Sequence, residues 1–286
     1  MRDAKFADLA LVGHAGPEAL VYANDARALK QLERQSHVAA VITTPELTGS
    51  VIGATGVATA EDPETAFYAL HAWLAAHTDF YWSDFPTEID RSAAIHERAY
   101  IAPRNVRIGP RVIVEPNATI LERVTIGEDS IIRAGAVLGV QGFEFKGPAS
   151  RQGRASRAGR DYGTTNTSIP HAGSVALGER VEIQANTTID RSVFRVPTSV
   201  GDDTKIDNLI HIAHNAHIGE RCLIAACAMI AGSVTLEDDV WIGPSAVISS
   251  GVRIGRGAAI VIGATITKDV APGERVASDL RVYRLP

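Results

Sequence analysis

Aliphatic residues recur every six positions along most of this chain. The longest series comprises Val200, Ile206, Ile212, Ile218, Ile224, Ile230, Leu236, Ile242, Ile248, Ile254, Ile260 and Ile266. The other series comprise Ile89, Ile95 and Ile101, then, after one extra residue, Ile108, Val114, Ile120, Ile126, Ile132 and Leu138, and later Leu177, Ile183 and Ile189. A period of six fits neither the 3.6-residue turn of a helix nor the alternation of a simple strand. It predicts a coil with three flat faces, in which one aliphatic side chain of each face points inward.

Such a coil has about eighteen residues per turn, so residues eighteen apart lie above one another. Successive turns are expected about 4.8 Å apart, the spacing of neighbouring strands, with parallel sheets on all three sides. The residue after each aliphatic is usually small, as at Gly201, Ala213 and Gly219, and is expected to let the chain bend at a corner. The predicted fold class is mainly β: a parallel β-helix of hexapeptide repeats, preceded by a small α/β domain.

The six-residue rhythm is absent from residues 1–86. There NDARALKQLERQ and DPETAFYALHAWLAAH have the caps and the apolar spacing of helices, and HVAAVITT is typical of a buried strand. We therefore expect a small α/β domain at 1–86 that binds substrate or nucleotide, followed by the β-helix at 87–268. Phe67 and Trp73 are predicted to lie in the core of the first domain.

Two segments interrupt the repeats and a third follows them. The longer interruption is an excursion at 139–176, polar and rich in Gly and Arg, for which we expect a functional role because long loops in compact folds are usually functional or disordered. The shorter one, RSVFRVPTS, separates Ile189 from Val200 and is expected to bulge from a corner. Residues 269–286 are predicted to cap the open end of the β-helix, as terminal repeats require.

Composition narrows the class of protein. A net charge of −5 over 286 residues offers no strongly basic surface, so no nucleic-acid partner is expected. No apolar run reaches the ~18–20 residues that span a bilayer, and the apolar stretch near the N-terminus is short for a secretory signal. Cys222 and Cys227 are expected to be reduced, small core residues. These features predict a cytoplasmic protein without an integral membrane segment.

Three histidines stand close together at His211, His214 and His217. Spread around one corner at steps of three, they do not converge on a point, so a zinc site is an alternative and no metal is predicted. His214 and Gly232 are eighteen residues apart, which places an imidazole one coil from a backbone N–H that has no side chain beside it. Histidine is a general base near neutral pH, and a backbone amide can stabilise an oxyanion. The pair therefore indicates acyl transfer.

The stretches IQANTTIDRS, VGDDTKIDNLIHIAHNAHIGE and IAG resemble the UDP-3-O-acylglucosamine N-acyltransferase family of lipid A synthesis. The repeats resemble those of hexapeptide-repeat transferases, whose β-helix is left-handed and commonly trimeric, with active sites between subunits. The resemblance implies that His214 is the catalytic base and that the Gly232 amide holds the oxyanion. The substrate-binding residues that it implies are Asp207 and Asn208 in the IDN block, Asn24 in the first domain, and Phe143 and Phe145 in the segment GVQGFEF.

The reaction implied by this resemblance is transfer of an acyl group from acyl-acyl carrier protein to the amine of a nucleotide-linked amino sugar. A homotrimer is expected, with the thioester as co-substrate and no tightly bound cofactor. The chain differs from the family at Gly251, where the family has a further histidine, and in the run VYANDAR, which keeps Asn24 and lacks both uracil-stacking aromatics, with Tyr22 a partial substitute. The family's C-terminal helical extension does not follow Pro286. An acyl-CoA-dependent sugar N-acyltransferase and a non-catalytic β-helix scaffold are therefore alternatives, and acyl-chain length, sugar and nucleotide stay open.

Overall fold

The computed structural model describes residues 3–34, 37–146 and 166–278. Residues 147–165 of the predicted excursion and 279–286 of the predicted cap lie outside this range. The chain divides into two compact units, one comprising Met1–Ser83 with Phe143–Ala172 and the other comprising Asp84–Gly142 with Gly173–Pro286. The described residues of the excursion therefore group with the N-terminal residues, although they interrupt the β-helix in sequence.

The first unit is built on a parallel sheet with strand order β1-β2-β3-β4. Its strands are β1 Asp8–Leu9, β2 Ala19–Ala23, β3 Val38–Thr43 and β4 Ala54–Thr59. Its helices are α1 Ala26–Glu33 and α2 Pro63–His77, with a 3-10 helix at Pro45–Ser50. Asp25 and Asp62 cap α1 and α2 by accepting hydrogen bonds from the N–H groups of Ala28 and Thr65, which the first turn leaves unpaired. The two predicted helices and the predicted strand are confirmed. No helix among the described residues is long and apolar enough to cross a membrane.

One of the two predicted core aromatics of this unit is in the core. Phe67 is fully buried on α2, as predicted. Trp73 is 55% exposed and stacks on His77, so its prediction as a core residue is wrong. The reason is helical geometry: Phe67 and His71, four residues apart, define the buried face, and a residue two positions further points away from it.

A short antiparallel hairpin brings the excursion into the first unit. Its strands are β14 Phe145–Lys146 and β15 Thr167–Ser168. Lys146 lies 2.8 Å from Glu144 and 3.4 Å from Glu64 of α2, and its ammonium lies over the Tyr68 ring. After the hairpin, the carbonyl of Pro170 accepts a hydrogen bond from the buried His71 Nε2 at 2.7 Å. Side chains of α2 therefore hold both ends of the excursion.

The second unit is a parallel β-helix with three faces. The first face contains β5 Glu88–Ile89, β8 Val106–Ile108, β11 Val124–Ile126, β16 Val175–Leu177, β19 Thr198–Val200, β22 His217–Ile218, β25 Thr235–Leu236 and β28 Arg253–Ile254. The second face contains β6 Ala94–Ile95, β9 Ile113–Val114, β12 Ile131–Ile132, β17 Glu182–Ile183, β20 Lys205–Ile206, β23 Leu223–Ile224, β26 Trp241–Ile242, β29 Ala259–Ile260 and β31 Arg275–Val276. The third face contains β7 Tyr100–Ile101, β10 Thr119–Ile120, β13 Val137–Val140, β18 Thr188–Asp190, β21 His211–Ile212, β24 Met229–Ile230, β27 Val247–Ile248 and β30 Thr265–Ile266. The predicted class, a mainly β fold with a parallel β-helix preceded by a small α/β domain, is confirmed.

The register of the coils follows the hydrophobic series. Ile212 pairs with Ile230, eighteen residues on, and Ile189 pairs with Ile212 across the RSVFRVPTS insertion. Leu138 pairs with Ile189, so the coil resumes in register after the excursion. The repeated aliphatic side chains point inward and form one continuous core, to which each fully buried isoleucine contributes about 1.5–3 kcal/mol.

The bends of the coil come from a position that differs from the predicted one. The third residue after the inward aliphatic adopts a left-handed φ at corner after corner, for example 55° at Arg111, 59° at Asn215 and 62° at Cys227. The small residue next to the aliphatic has a different role: the neighbouring coil lies directly against it and leaves no room for a larger side chain. A Cβ on Gly127 would come within 2.3 Å of the Gly178 carbonyl oxygen. The expectation that the small residue makes the bend is therefore wrong: it permits the close stacking of coils.

An alternating column of charges follows the corner between the first and second faces. The column comprises Arg111, Asp129, Arg180, Asp203, Arg221 and Asp239, one residue per coil. Each arginine pairs with the aspartate of the next coil at 2.7–2.8 Å. The guanidinium groups hold the pKa of Asp129, Asp203 and Asp239 below the ordinary range, chiefly by hydrogen bonding. These pairs are exposed to solvent, so each contributes little to the stability of the fold.

Candidate active site

The predicted base and oxyanion donor lie on adjacent coils near the corner between the third and first faces. His214 precedes the left-handed corner residue Asn215, and Gly232 takes the same place one coil later, before Ser233. A Cβ on Gly232 would lie 3.0 Å from His214 Nε2 and 2.8 Å from its Cε1. Spacing by eighteen therefore does bring the imidazole against a backbone without a side chain. Their roles in catalysis stay predictions.

Asn215 fixes the orientation of the His214 ring. Its Oδ1 lies 3.1 Å from His214 Nδ1 and also accepts a hydrogen bond from the Val193 N–H at 3.0 Å. Because a backbone N–H needs an acceptor, this atom is the amide oxygen, and a neutral His214 must donate to it through Nδ1. The proton on Nδ1 leaves Nε2 as the basic nitrogen, and the Cε1–Nε2 edge of the ring lies nearest to Gly232. Sequence reasoning missed Asn215, although it directly follows the candidate base.

The Gly232 N–H is available to a ligand. At the same place on other corners, the N–H of Glu220 donates to Asp238 and the N–H of Ala226 donates to Asp207. Gly232 has no such acceptor among the residues that the structure describes, while its carbonyl accepts from Gly251. A buried N–H beside an imidazole is the arrangement that an oxyanion site requires.

A buried carboxylate lies next to this pair. Asp190 ends β18 and is 3% exposed. Its Oδ2 is 3.5 Å from His211 Nε2. Burial raises the pKa of Asp190, and the positive charge of His211 and then of His214 acts in the opposite direction. Asp190 was not among the predicted site residues because a spacing rule locates backbones and carries no information on buried charge.

Asp207 and Asn208 lie at the preceding corner, between the second and third faces. Asn208 Oδ1 accepts from the Ala185 N–H, and Asp207 Oδ2 accepts from the Ala226 N–H. Both side chains therefore fasten neighbouring coils, and β21 separates them from His214. Their predicted role in substrate binding stays a prediction.

The remaining predicted residues belong to the first unit. Asn24 follows β2, and its Oδ1 is buried with no hydrogen-bond partner among the described residues. Tyr22 packs on Phe67 at 5.0 Å, so its ring is part of the aromatic core beside α2. Phe143 is 88% exposed and meets Phe145 edge-on at 4.9 Å. The structure thus offers an unpaired amide oxygen at Asn24 and an exposed aromatic at Phe143.

The histidine cluster does not form a metal site, and a nearby groove lies apart from His214. His217 Nδ1 lies 3.0 Å from the Ser199 hydroxyl, on the far side of the corner from His211. Within the described part of the chain, no three His, Cys, Asp or Glu side chains gather closely enough to hold a metal ion. A groove of about 380 Å³ is lined by His217, Ile218, Gly219, Leu236, Glu237, Asp238, Arg253 and Arg256. Its two arginines pair with Glu237 and Asp238. The groove also contains an imidazole, that of His217, but the N–H of its glycine, Gly219, already donates to the Leu236 carbonyl, so we favour the His214 site.

Comparisons with known proteins agree with the repeats. The model of the bacterial transferase hexapeptide (six repeats) matches residues 105–139 and 197–232, and that of the hexapeptide repeat of succinyl-transferase matches 233–268. The UDP-3-O-acylglucosamine N-acyltransferase of Methylobacterium nodulans is 44% identical over 150 residues, which cover 52% of this chain and 38% of that protein. That of Bordetella pertussis is 40% identical over 163 residues, covering 57% and 42%. The chain is therefore similar to named UDP-3-O-acylglucosamine N-acyltransferases over 52–57% of its length.

This similarity confirms the predicted resemblance to UDP-3-O-acylglucosamine N-acyltransferases. The matched region spans between 38% and 42% of the length of the two relatives. Among solved structures, the UDP-N-acetylglucosamine acyltransferase of Bacteroides fragilis gives a TM-score of 0.44 at 23% identity, covering 65% of this chain and 67% of that one. The Arabidopsis UDP-N-acetylglucosamine acyltransferase gives a TM-score of 0.43 at 22% identity, covering 66% and 71%.

Proposed function

We propose that this protein is an acyltransferase that moves an acyl group from a thioester to the amine of a nucleotide-linked amino sugar. The observation that carries the proposal is the contact of the His214 imidazole with Gly232, whose N–H has no acceptor in the described chain. Asn215 also supports the proposal, because its Oδ1 holds the His214 proton on Nδ1 and so leaves Nε2 as the basic nitrogen. The similarity to named N-acyltransferases supports the same reaction class.

The proposed reaction is direct. The amine nitrogen attacks the thioester carbonyl carbon, and a C–N bond forms while His214 Nε2 takes a proton from the amine. The carbonyl electrons move to oxygen, and the Gly232 N–H stabilises the resulting oxyanion. When the intermediate collapses, the C–S bond breaks and the thiolate recovers the proton from His214. The protein ends unchanged, with no covalent intermediate.

The donor proposed is acyl-acyl carrier protein, as in lipid A synthesis, and acyl-CoA is the second candidate. Neither the reaction nor the site requires a tightly bound cofactor, and we propose a cytoplasmic location. Asn24, Phe143 and Phe145 are the proposed contacts to the acceptor, supported by the unpaired Asn24 Oδ1 and the exposure of Phe143. A non-catalytic scaffold has no use for a base whose tautomer is fixed, which favours the enzyme.

We propose in addition that the protein is a homotrimer with His214 in the cleft between subunits. The support is an apolar edge at the corner between the second and third faces, defined as Leu209, Leu223, Met229 and Trp241. These side chains are 37–59% exposed on consecutive coils of one chain. Leu223 and Trp241 pair on neighbouring coils, and exposed apolar patches are typical of protein–protein contacts.

Transfer activity of purified variants tests the reaction. Wild type, His214→Ala and Gly232→Ala are assayed with UDP- and dTDP-amino sugars, each with acyl-acyl carrier protein and acyl-CoA. His214→Ala should lose about 10²–10⁴-fold in kcat/KM because the base is gone. Gly232→Ala should lose activity similarly, because the new methyl group would lie only 2.8 Å from the His214 ring and push the imidazole out of position.

His96→Ala is the matched control, an exposed histidine on an early coil of the same unit. It should keep full activity. A His214→Ala protein as active as His96→Ala would remove the base from the mechanism. If the wild-type protein transfers no acyl group with any of these donors and acceptors, the non-catalytic scaffold is favoured over the enzyme.

A further inference from the structure

Asp190 occupies an unusual place for a carboxylate. Strand β18 alternates, so Ile189 points into the core and Asp190 points outward, yet Asp190 is 3% exposed. Because Ile189 pairs with Ile212, Asp190 lies opposite Ala213, the residue that precedes His214. The carboxylate is therefore buried one coil away from the candidate base.

Two imidazoles act on this carboxylate. His211, on the neighbouring strand β21, brings Nε2 to 3.5 Å from Asp190 Oδ2, and its side chain is 46% exposed. His214 is the second positive group that acts on Asp190. Arg191, the next residue, interacts with Arg123 and Glu122 instead. A buried carboxylate is costly unless cations or hydrogen-bond donors compensate it, so the charge of Asp190 depends on these two rings.

We propose that Asp190 is a positioning residue for His214, whose carboxylate stabilises the imidazolium formed during transfer, and that His211 modulates this effect by sharing the carboxylate. The proposal rests on the acyl-transfer function proposed above. In the reaction the amine proton moves to His214 Nε2 and later to the leaving thiolate, while Asp190 stays ionised. Its contribution is electrostatic, and the burial of Asp190 strengthens it.

The signs of the two effects are opposite. Asp190→Asn keeps the shape and removes the negative charge, so the imidazolium is less stable and His214 loses its proton at lower pH. His211→Gln removes a nearby positive group, so Asp190 acts on His214 alone. His214 then keeps its proton to higher pH. A purely structural role for Asp190 would change thermal stability and would not move these pH profiles in opposite directions.

The experiment follows kcat/KM against pH for wild type, Asp190→Asn, His211→Gln and the double variant. We expect the acid limb to move by about 0.5–1 pH unit downward in Asp190→Asn and upward in His211→Gln, in line with opposite-charge neighbours. The double variant should follow Asp190→Asn, because His211 acts through the carboxylate. His96→Gln, an exposed histidine of the same unit, is the control and should move neither limb.

A second readout separates this proposal from the function it rests on. Titration of the 13Cε1 resonance of His214, assigned with His214→Gln, reports protonation whether or not transfer is detected. The same opposite movements would support the role of Asp190 even in a protein without the proposed activity. A His214 profile that is identical in wild type, Asp190→Asn and His211→Gln would overturn it. Should Asp190→Asn fold poorly, the exposed His211→Gln variant decides alone.

Discussion

At the scale of single residues, Asn215 has three tasks in one position. Its backbone makes the left-handed corner, its Oδ1 holds the inserted segment through Val193, and the same oxygen orients His214. Asparagine suits the position because it tolerates a left-handed φ better than most residues and carries an acceptor on a short side chain. The preparation of the base is thus tied to the geometry of the coil.

Removal of the Asn215 side chain should reduce activity with little loss of fold. Asn215→Gly keeps the left-handed corner and removes the acceptor, so His214 can adopt the other tautomer. We expect a fall in kcat/KM of about 10–100-fold, the cost typical of losing a partner that orients a histidine. Steady-state kinetics with parallel melting curves provide the measurement.

Two further variants serve as controls for this prediction. Asn215→Asp keeps an acceptor and should recover most of the activity. Asn117→Gly makes the same change at a left-handed asparagine on a different corner, and should leave kcat/KM unaltered. Equal losses in Asn117→Gly and Asn215→Gly would show that corner rigidity, and not the orientation of His214, limits the rate.

The sequence predicts the approach of His214 to Gly232 because backbone register is periodic. The roles of Asn215 and Asp190 could not be predicted in this way, because they depend on side-chain direction and burial. Asp190 points outward in the alternation of β18, and the sequence pattern predicts that such a residue is exposed to solvent. The prediction for Trp73 is wrong for the reverse reason. Its apolar character suggests burial, and the orientation of α2 leaves it exposed.

At the scale of elements, a buried histidine joins α2 to the returning end of the excursion. His71 Nε2 donates to the Pro170 carbonyl, so the neutral ring has its lone pair on Nδ1, 2.6 Å from the Tyr81 hydroxyl. Burial lowers the pKa of His71 below its ordinary value of 6.5. The folded chain therefore resists a proton that the unfolded chain accepts.

Stability of the first unit should consequently fall in mild acid. Below about pH 6.5 the unfolded chain binds the proton, so the free energy of unfolding decreases as pH falls, by at most about 1.4 kcal/mol per pH unit for this one group. Urea unfolding at pH 7.5 and 5.5 measures the effect. His71→Gln should be less stable at pH 7.5 and should lose less on acidification than wild type. An equal loss in both proteins would assign the acid sensitivity to other groups, such as His14.

Elements of the β-helix were predictable almost strand by strand, and those of the excursion were not. Each coil repeats one rule, an inward aliphatic every six residues, and the insertion after Ile189 is visible as a gap in that rule. The hairpin β14–β15 has no repeating pattern that would predict it, since Lys146 pairs with Glu64, far away in sequence, as well as with the nearby Glu144. Long-range charge pairs leave no local pattern.

At the scale of the whole molecule, the apolar edge should control self-association. Leu223 and Trp241 pair side by side on the second face, 49% and 37% exposed. Leu223→Glu with Trp241→Glu places two like charges in the proposed contact, and should convert the trimer to monomer in sedimentation velocity. Thr125→Glu with Ala176→Glu is the matched pair on the first face and should sediment as wild type. A wild-type protein that sediments as a monomer would refute the trimer.

The unit to which the excursion belongs is the whole-molecule feature that sequence reasoning missed. Residues 1–86 and 87–268 were expected to be successive domains, and the excursion an appendage of the second. In the structure, Phe143–Ala172 groups with Met1–Ser83. The hydrophobic series ends before the excursion and resumes after it, which shows where the chain leaves the coil and gives no information on where it goes.

The charged column along the first corner limits how such a protein can change in length. The sign of the charge reverses at every coil from Arg111 to Asp239. The charge pattern therefore repeats every two turns, whereas the packing pattern repeats every turn. Loss or gain of a single turn would set arginine on arginine or aspartate on aspartate beyond the junction. A change by an even number of turns therefore keeps the alternation of charge along this column, and a change by an odd number breaks it.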